Sequence, residues 1–258
     1  MTEAGPSRWH IAPDVDTLVA ELGEWLRQEA EAAIAARGRF RWAVPGGSTP
    51  RRLYAWLARP DQQSAWSWEQ VELFVGDERD VLPTHPDSNY GMIARTLLQH
   101  LVPPPARVTR FVTEGGPAVA LAQYRAALAR CPRDPDGWPI LDLVLLGLGQ
   151  DGHCASLFPQ APALASSDWV AGYWVDDRHG FRYTLTLSVL CRARTVAFLV
   201  TGQDKAAAVA QVLAAPSDSS LPAARLEACR AVLSPASPVV WFLDRPAAQA
   251  LPSTGPAL

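Results

Sequence analysis

The sequence predicts an α/β fold: a Rossmann-like, open and mostly parallel sheet with helices on both faces. Three observations carry that reading. Short β-rich runs alternate with helical segments of about ten residues, the order that a parallel sheet covered on both faces requires. The 258 residues are 48% hydrophobic, enough to bury a large core. Four polar loops, "GGSTP", "GDER", "GQDGH" and "TGQDK", each follow a strand-like run, and in an open parallel sheet those strand ends face one edge where ligands collect.

Taken in order, Asp14 to Arg37 carries Leu18, Leu22, Trp25, Leu26, Ala33 and Ile34 at helical spacing, so an amphipathic helix opens the fold. "RFRWAVP" then reads as a strand, "GGSTP" as its loop and "PRRLYAWLA" as a helix. "QVELFVG" is a strand followed by the loop "DERDVLPTHPDSNYG" and the helical "MIARTLLQHL". "RVTRFVT" precedes the helical "AVALAQYRAALAR", and "LDLVLLGLG" leads into the loop from Gln150 to Pro159. "TVAFLVTG" precedes "QDKAAAVAQVLA", and "PVVWFLD" precedes "RPAAQAL". The stretches Asp134 to Pro139, Pro216 to Pro222 and Ser234 to Pro238 read as surface loops, and "PSTGPAL" as a frayed end. With no repeat and no linker, residues 1–258 read as one domain with its core over about residues 15–251.

A formal charge of -3 and the lack of any long run of like charge give no general attraction to nucleic acid or anionic membranes, so neither is an expected partner. An anionic ligand must be held by local cations. No signal-like or membrane-spanning stretch is evident, which sets a cytoplasmic expectation. Cys131, Cys154, Cys191 and Cys229 are widely spaced without a C-x-x-C pair, which argues against a metal cage and for reduced thiols. No metal and no cofactor is expected. The oligomeric state stays open.

"LDLVLLGLGQDGHCASLFP" contains G-x-G-x-x-G at Gly147, Gly149 and Gly152, and Asp176 lies near the spacing of a ribose-binding acid. A dinucleotide site would need a helix directly after Gly152, where Pro159 and Pro162 would break one, and Asp151 would repel the pyrophosphate. The alternative is a sharp turn presenting Asp151 and His153 at the sheet edge. "VPGGSTP" places Gly46, Gly47, Ser48 and Thr49 before Pro50; Pro at a first helical position makes Ser48 or Thr49 the expected N-cap, with amides free for a phosphate. Of the 23 Lys and Arg residues only Lys205 is a lysine. Placed in the first turn of a helix, it opposes the helix dipole unless an anion sits between them. Asp77, Glu78 and Arg79 in "GDERDV" read equally well as a solvated ion cluster or as ligands, and Arg182 in "FRYTLTL", taken alone, reads as a solvated residue beside a strand.

In this order the segments "VPGGSTPRRLY", "VGDERDVLPTHPDSNYG", "LLGLGQDGHCASLFP", "RYTLTLSVL", "VTGQDKAAAV" and "LPAARL…VVWFLD" make the chain resemble the 6-phosphogluconolactonase family from about Val15 to Leu251. The resemblance implies a cofactor-free, metal-independent hydrolase that opens 6-phosphoglucono-1,5-lactone in the pentose phosphate pathway. It implies His153 as general base and Gly46, Gly47, Ser48, Thr49, Arg79, Arg182 and Lys205 as substrate-binding residues. Beside them, Asp151 reads as the group that fixes the His153 tautomer, Arg79 or a backbone amide as the oxyanion donor, and Asp77 as a further substrate ligand. Cys154 stands where the family usually has Thr and Tyr183 where an aliphatic residue is commoner, and the stretch from Glu227 to Pro238 is longer than usual. A Cys154 nucleophile is disfavoured because neighbouring side chains on an extended loop point apart. Asp151 and His153, two apart in a loop, need not touch. Two rivals remain. An isomerase or deaminase of the glucosamine-6-phosphate type would need a glutamate soon after the histidine, and "CASLFP" has none. A sugar-phosphate-binding regulator would need a DNA-reading module or loss of His153.

Overall fold

A computed structural model describes residues 8–251 except 217 and 234–238. The first element is a strand, β1 (Arg8–Ala12), not the opening helix, which follows as α1 (Val15–Arg37). α1 begins where the Asp14 carboxylate accepts from Thr17 N–H at 2.8 Å and ends at Gly38, in the left-handed region at φ 73. Then come β2 (Phe40–Val44), α2 (Ser48–Leu57), the short α3 (Pro60–Gln63), β3 (Val71–Val75), β4 (Asp77–Arg79) and α4 (Asn89–Thr96). β5 (Arg107–Thr109) leads to α5 (Gly116–Leu128) and β6 (Leu143–Leu146). The hairpin of β7 (Val170–Trp174) and β8 (Phe181–Leu185) precedes α6 (Leu187–Cys191), β9 (Thr195–Val200), α7 (Ala206–Leu213), α8 (Pro222–Leu233), β10 (Val240–Asp244) and α9 (Arg245–Ala248).

Seven strands form one sheet in the order β1-β10-β9-β6-β2-β3-β5, every neighbouring pair parallel. From the centre, β2, β3 and β5 run outward one way and β6, β9 and β10 the other. The strand order therefore reverses between β2 and β6, and a crevice opens above their carboxyl ends. Burial alternates with the pleat. Phe40, Trp42, Val44, Leu143 and Leu145 pack with Leu22, Leu26, Leu53 and Ile93 of α1, α2 and α4 on one face. Ala43, Val144 and Leu146 pack with Tyr124, Val209 and Leu226 of α5, α7 and α8 on the other. Both faces are covered, so the strands read as near-continuous apolar runs.

β4, β8 and β7 form a second, antiparallel sheet that the sequence pattern did not reveal. "GDER" is thus a strand and not a loop. α2 also starts earlier than Pro50 suggests: its N-cap is Gly47 at φ 107, Ser48 and Thr49 are its first two residues, and no side chain caps it. Only glycine adopts that φ without strain, so the glycine rather than a hydroxyl sets the helix start. The loops expected at Ser234 to Pro238 and "PSTGPAL" lie outside the described residues. No helix among the described residues is long and apolar enough to cross a membrane.

Candidate active site

Above β2 and β6 lies a cavity of about 240 Å³, lined by Gly46, Gly47, Ser48 and Thr49 from the β2–α2 turn and by Asp77 and Arg79 of β4. Gly147, Gly149 and His153 from the β6 loop, with Thr201 and Lys205 after β9, complete the wall. Eight of the ten candidate residues meet there. Asp151 and Arg182 are not part of the lining; Asp151 touches His153, and Arg182 is the partner of Arg79 across β4 and β8.

The glycines of the β6 loop resolve the choice between its two readings. No helix follows Gly152; the chain turns at Gly152, φ 78, and runs as irregular loop to a short 3₁₀ turn at Pro162–Ala165. A Cβ on Gly149 would collide with the His153 ring and the Asp151 carboxylate, so this glycine is the space those two side chains occupy. Asp176, the would-be ribose acid, instead holds His179 Nδ1 at 2.8 Å beyond β7.

Asp151 and His153 do touch. His153 Nδ1–H donates to Asp151 Oδ1 at 2.6 Å, and the His153 amide donates to the same oxygen at 3.2 Å. A carboxylate only accepts, so the proton lies on Nδ1 and Nε2 is left as a base. The hydrogen bond from His153 outweighs partial burial and holds the Asp151 carboxyl down at about 2. The imidazole rests on Phe158, ring centroids 4.3 Å apart, which fixes its plane. Cys154 is fully buried and desolvation pushes its thiol up to about 12, so it cannot serve as a nucleophile.

Side-chain hydrogen bonds join the loops into one frame. Thr49 and Thr201 share one at 2.7 Å, tying the α2 turn to the loop after β9. Gln150 Nε2 donates to Asp204 Oδ2 at 3.0 Å, tying the β6 loop to the turn bearing Lys205. Asp77 accepts from Ser156 Oγ at 2.7 Å and from Asn89 Nδ2 at 3.3 Å, so its oxygens bind β4 to the β6 loop and to α4. Asn89, Ser156 and Thr201 escaped the sequence reading. Their signal was present in "DSNYG", "CAS" and "VTG", where short polar residues flank a helix start or a tight turn.

Three cations border the site. Arg79 Nη1 donates to the Asp87 carbonyl at 2.6 Å. Arg182 faces Arg79 directly across the β4–β8 pair. Burial lowers the Arg182 pKa, and the Arg79 charge lowers it further. Two guanidiniums placed opposite each other repel, which an anion between them would relieve. Lys205 closes a 3₁₀ turn as the N-cap residue of α7. No hydrogen bond or ion pair engages its ammonium among the described residues. Gly47, Ser48 and Thr49, at the start of α2, line the same space, and backbone amides at a helix start have no intrahelical acceptor. Beneath, buried Glu78 accepts from the amides of Arg79, Asn89 and Tyr90 at 2.9, 2.7 and 2.8 Å and from Ser88 Oγ at 3.1 Å. Desolvation still raises its carboxyl above the ordinary range.

Residues 13–234 match the family model described as glucosamine-6-phosphate isomerases/6-phosphogluconolactonase. The chain belongs to this family. Within it, a 6-phosphogluconolactonase of Synechocystis sp. is 38% identical over 251 residues, covering 93% of this chain and 99% of its own. The Homo sapiens 6-phosphogluconolactonase is 34% identical over 258 residues, covering 97% and 96%. The solved structure of 6-phosphogluconolactonase from Trypanosoma brucei superposes with a TM-score of 0.80 at 26% identity, over 97% of this chain and all of that one (100%).

Proposed function

We propose that the chain hydrolyses 6-phosphoglucono-1,5-lactone to 6-phosphogluconate, with His153 as the general base that activates water. The observation that carries the base assignment is the 2.6 Å bond from His153 Nδ1 to Asp151, which leaves Nε2 ready to accept a proton at the cavity wall. A lactone is an activated ester, so water can attack the carbonyl directly without a covalent enzyme intermediate. As water adds, its proton passes to Nε2 and the Asp151 carboxylate offsets the imidazolium charge. The carbonyl oxygen becomes an oxyanion, for which Arg79 or a loop amide is the donor. Collapse of the tetrahedral intermediate breaks the bond to the ring oxygen, and the imidazolium returns a proton to it.

The phosphate end of the substrate belongs with Lys205, the first-turn amides of α2 and the hydroxyls of Ser48 and Thr49, because a helix start and an unengaged ammonium there face one space. Arg182 adds charge beside Arg79. An isomerase reading lacks the acid it would need after the histidine: the residues that follow His153, from Cys154 to Pro159, contain none, and Cys154 and Ser156 are buried. A lactone-hydrolysis assay coupled to 6-phosphogluconate oxidation, corrected for the spontaneous reaction, tests the proposal. Turnover is expected; its absence in folded protein, or isomerisation of glucosamine 6-phosphate in its place, would overturn it.

A further inference from the structure

Away from the cavity, α6 ends at Cys191 and α8 packs against it. The buried Cys191 thiol donates to the Leu226 carbonyl at 4.0 Å. Cys229 follows Leu226 by three residues, on the same face of α8. That brings the Cys229 thiol beside Cys191, and the two thiols interact. Arg230, buried beside them, donates to the carbonyls of Cys191 at 3.1 Å and Arg194 at 3.0 Å, and to that of Ala193, clamping α8 onto the end of α6. Cys229 is half-buried, whereas Cys131, Cys154 and Cys191 are buried.

The pair is chemically unequal. Contact with the Cys191 thiol, with the guanidiniums of Arg192, Arg230 and Arg225, holds the Cys229 thiol below its ordinary range. The same contact, with burial, pushes Cys191 well above it. Desolvation raises Cys131 to about 11 and Cys154 to about 12, so neither ionises as readily as Cys229. An accessible, readily ionised cysteine next to a second thiol is the arrangement that oxidants attack and a neighbour resolves.

α8 also reaches the catalytic loop. Its second residue, Ala223, donates its amide to the Gly152 carbonyl at 3.1 Å, and Leu221 lies over Gly152, where it would meet any added Cβ. A change in how α8 seats on α6 is therefore felt one residue from His153.

We propose that Cys191 and Cys229 form a reversible oxidation site that a hydroperoxide closes to a disulfide, altering the support that α8 gives to the His153 loop. The Cys229 thiolate attacks the peroxide, its O–O bond breaks, and hydroxide or alkoxide leaves with Cys229 as the sulfenic acid. The Cys191 sulfur then attacks the Cys229 sulfur; the S–O bond breaks and water departs with the Cys191 proton. The peroxide gains two electrons and each thiol loses one.

Reduced protein treated with hydrogen peroxide, alkylated and digested with trypsin tests this. Residues 183–192 and 226–230 are the expected tryptic peptides. They should appear joined, lighter by two hydrogens than their sum, and dithiothreitol should separate them. Oxidised protein should lose kcat several-fold with a smaller change in KM, and dithiothreitol should restore it. Cys229→Ser should keep its activity under peroxide, and Cys191→Ala should accumulate a Cys229 sulfenic acid that dimedone traps. No cross-link, a cross-link to Cys131 or Cys154, unchanged turnover in cross-linked protein, or equal loss in Cys229→Ser would each overturn the proposal. The cross-link is read by mass, so it stands or falls apart from the lactonase reading.

Discussion

The bond from His153 to Asp151 makes the imidazole a base of defined tautomer, and Gly149 is the vacancy that admits the pair. His153→Asn keeps a polar side chain of similar reach but removes the basic nitrogen, so kcat should fall by roughly 10² to 10⁴ while 6-phosphogluconate binding changes little. Steady-state kinetics and calorimetry check this; folded variant retaining more than about a tenth of wild-type turnover would remove His153 from the role of base. Gly149→Ala should do similar damage by a different route, because its Cβ displaces the His153 ring rather than deleting it. The Asp151 carboxyl, at about 2 in the fold, lies below its ordinary 3.8. Its contribution to stability is thus complete above the ordinary value and lost as pH falls through about 2. Held down at about 2, Asp151 stays a carboxylate across the assay range, so the acid limb of log kcat/KM should have a slope of one; a slope of two would mean that a second group must also lose its proton. Lys205→Ala should raise KM more than it lowers kcat, since a phosphate remote from the carbonyl contributes mainly uniform binding. Lys205→Arg indistinguishable from wild type would make the single lysine an accident of composition.

At the level of elements, the parallel strands and the helices between them were legible because both faces of the large sheet are buried and the apolar runs are strong. What stayed hidden depends on distant partners. β1 is five residues long and is held at the sheet edge by β10, at the far end of the chain. β4 has three residues and becomes a strand only against β8. The start of α2 was misjudged because Pro50 signals a first helical position, whereas Gly47 begins the helix two residues earlier than that allows. The four polar segments do meet at one cavity, three as loops and "GDER" as a strand, yet the bonds that lock them were not visible, since Thr49 and Thr201, or Ser156 and Asp77, are far apart in sequence. Glu78 shows what such a lock is worth. Both its oxygens accept hydrogen bonds, so Glu78→Gln sets an amide N–H against a donor. The expected loss is about 1–3 kcal/mol of stability by urea unfolding, with a fall in kcat/KM because Arg79 and Asn89 lose their anchor. An unchanged urea midpoint would show that the loop holds itself.

For the whole molecule, the cavity draws on the turn after β2 from one half of the strand order, on the loops after β6 and β9 from the other, and on β4 of the second sheet, so a bound ligand bridges both halves. Such a ligand binds the folded chain alone. At about 100 times its dissociation constant it adds about 2.7 kcal/mol. For a chain of this size that corresponds to a rise in melting temperature of roughly 5–10 °C, which 6-phosphogluconate should produce in wild type and, at the same concentration, far less in Lys205→Ala. The same measurement tests how the site handles charge. Among the described residues no three His, Cys, Asp or Glu side chains come together as a metal cluster, and the positive charge at the cavity comes from Arg79, Lys205 and the start of α2, with Arg182 paired beside Arg79. Anion binding of this kind needs no divalent ion as a bridge. Chelator should therefore leave both the ligand-induced thermal shift and turnover intact; a shift lost in EDTA and restored by a divalent cation would mean that a metal, and not the lysine and the helix start, receives the phosphate.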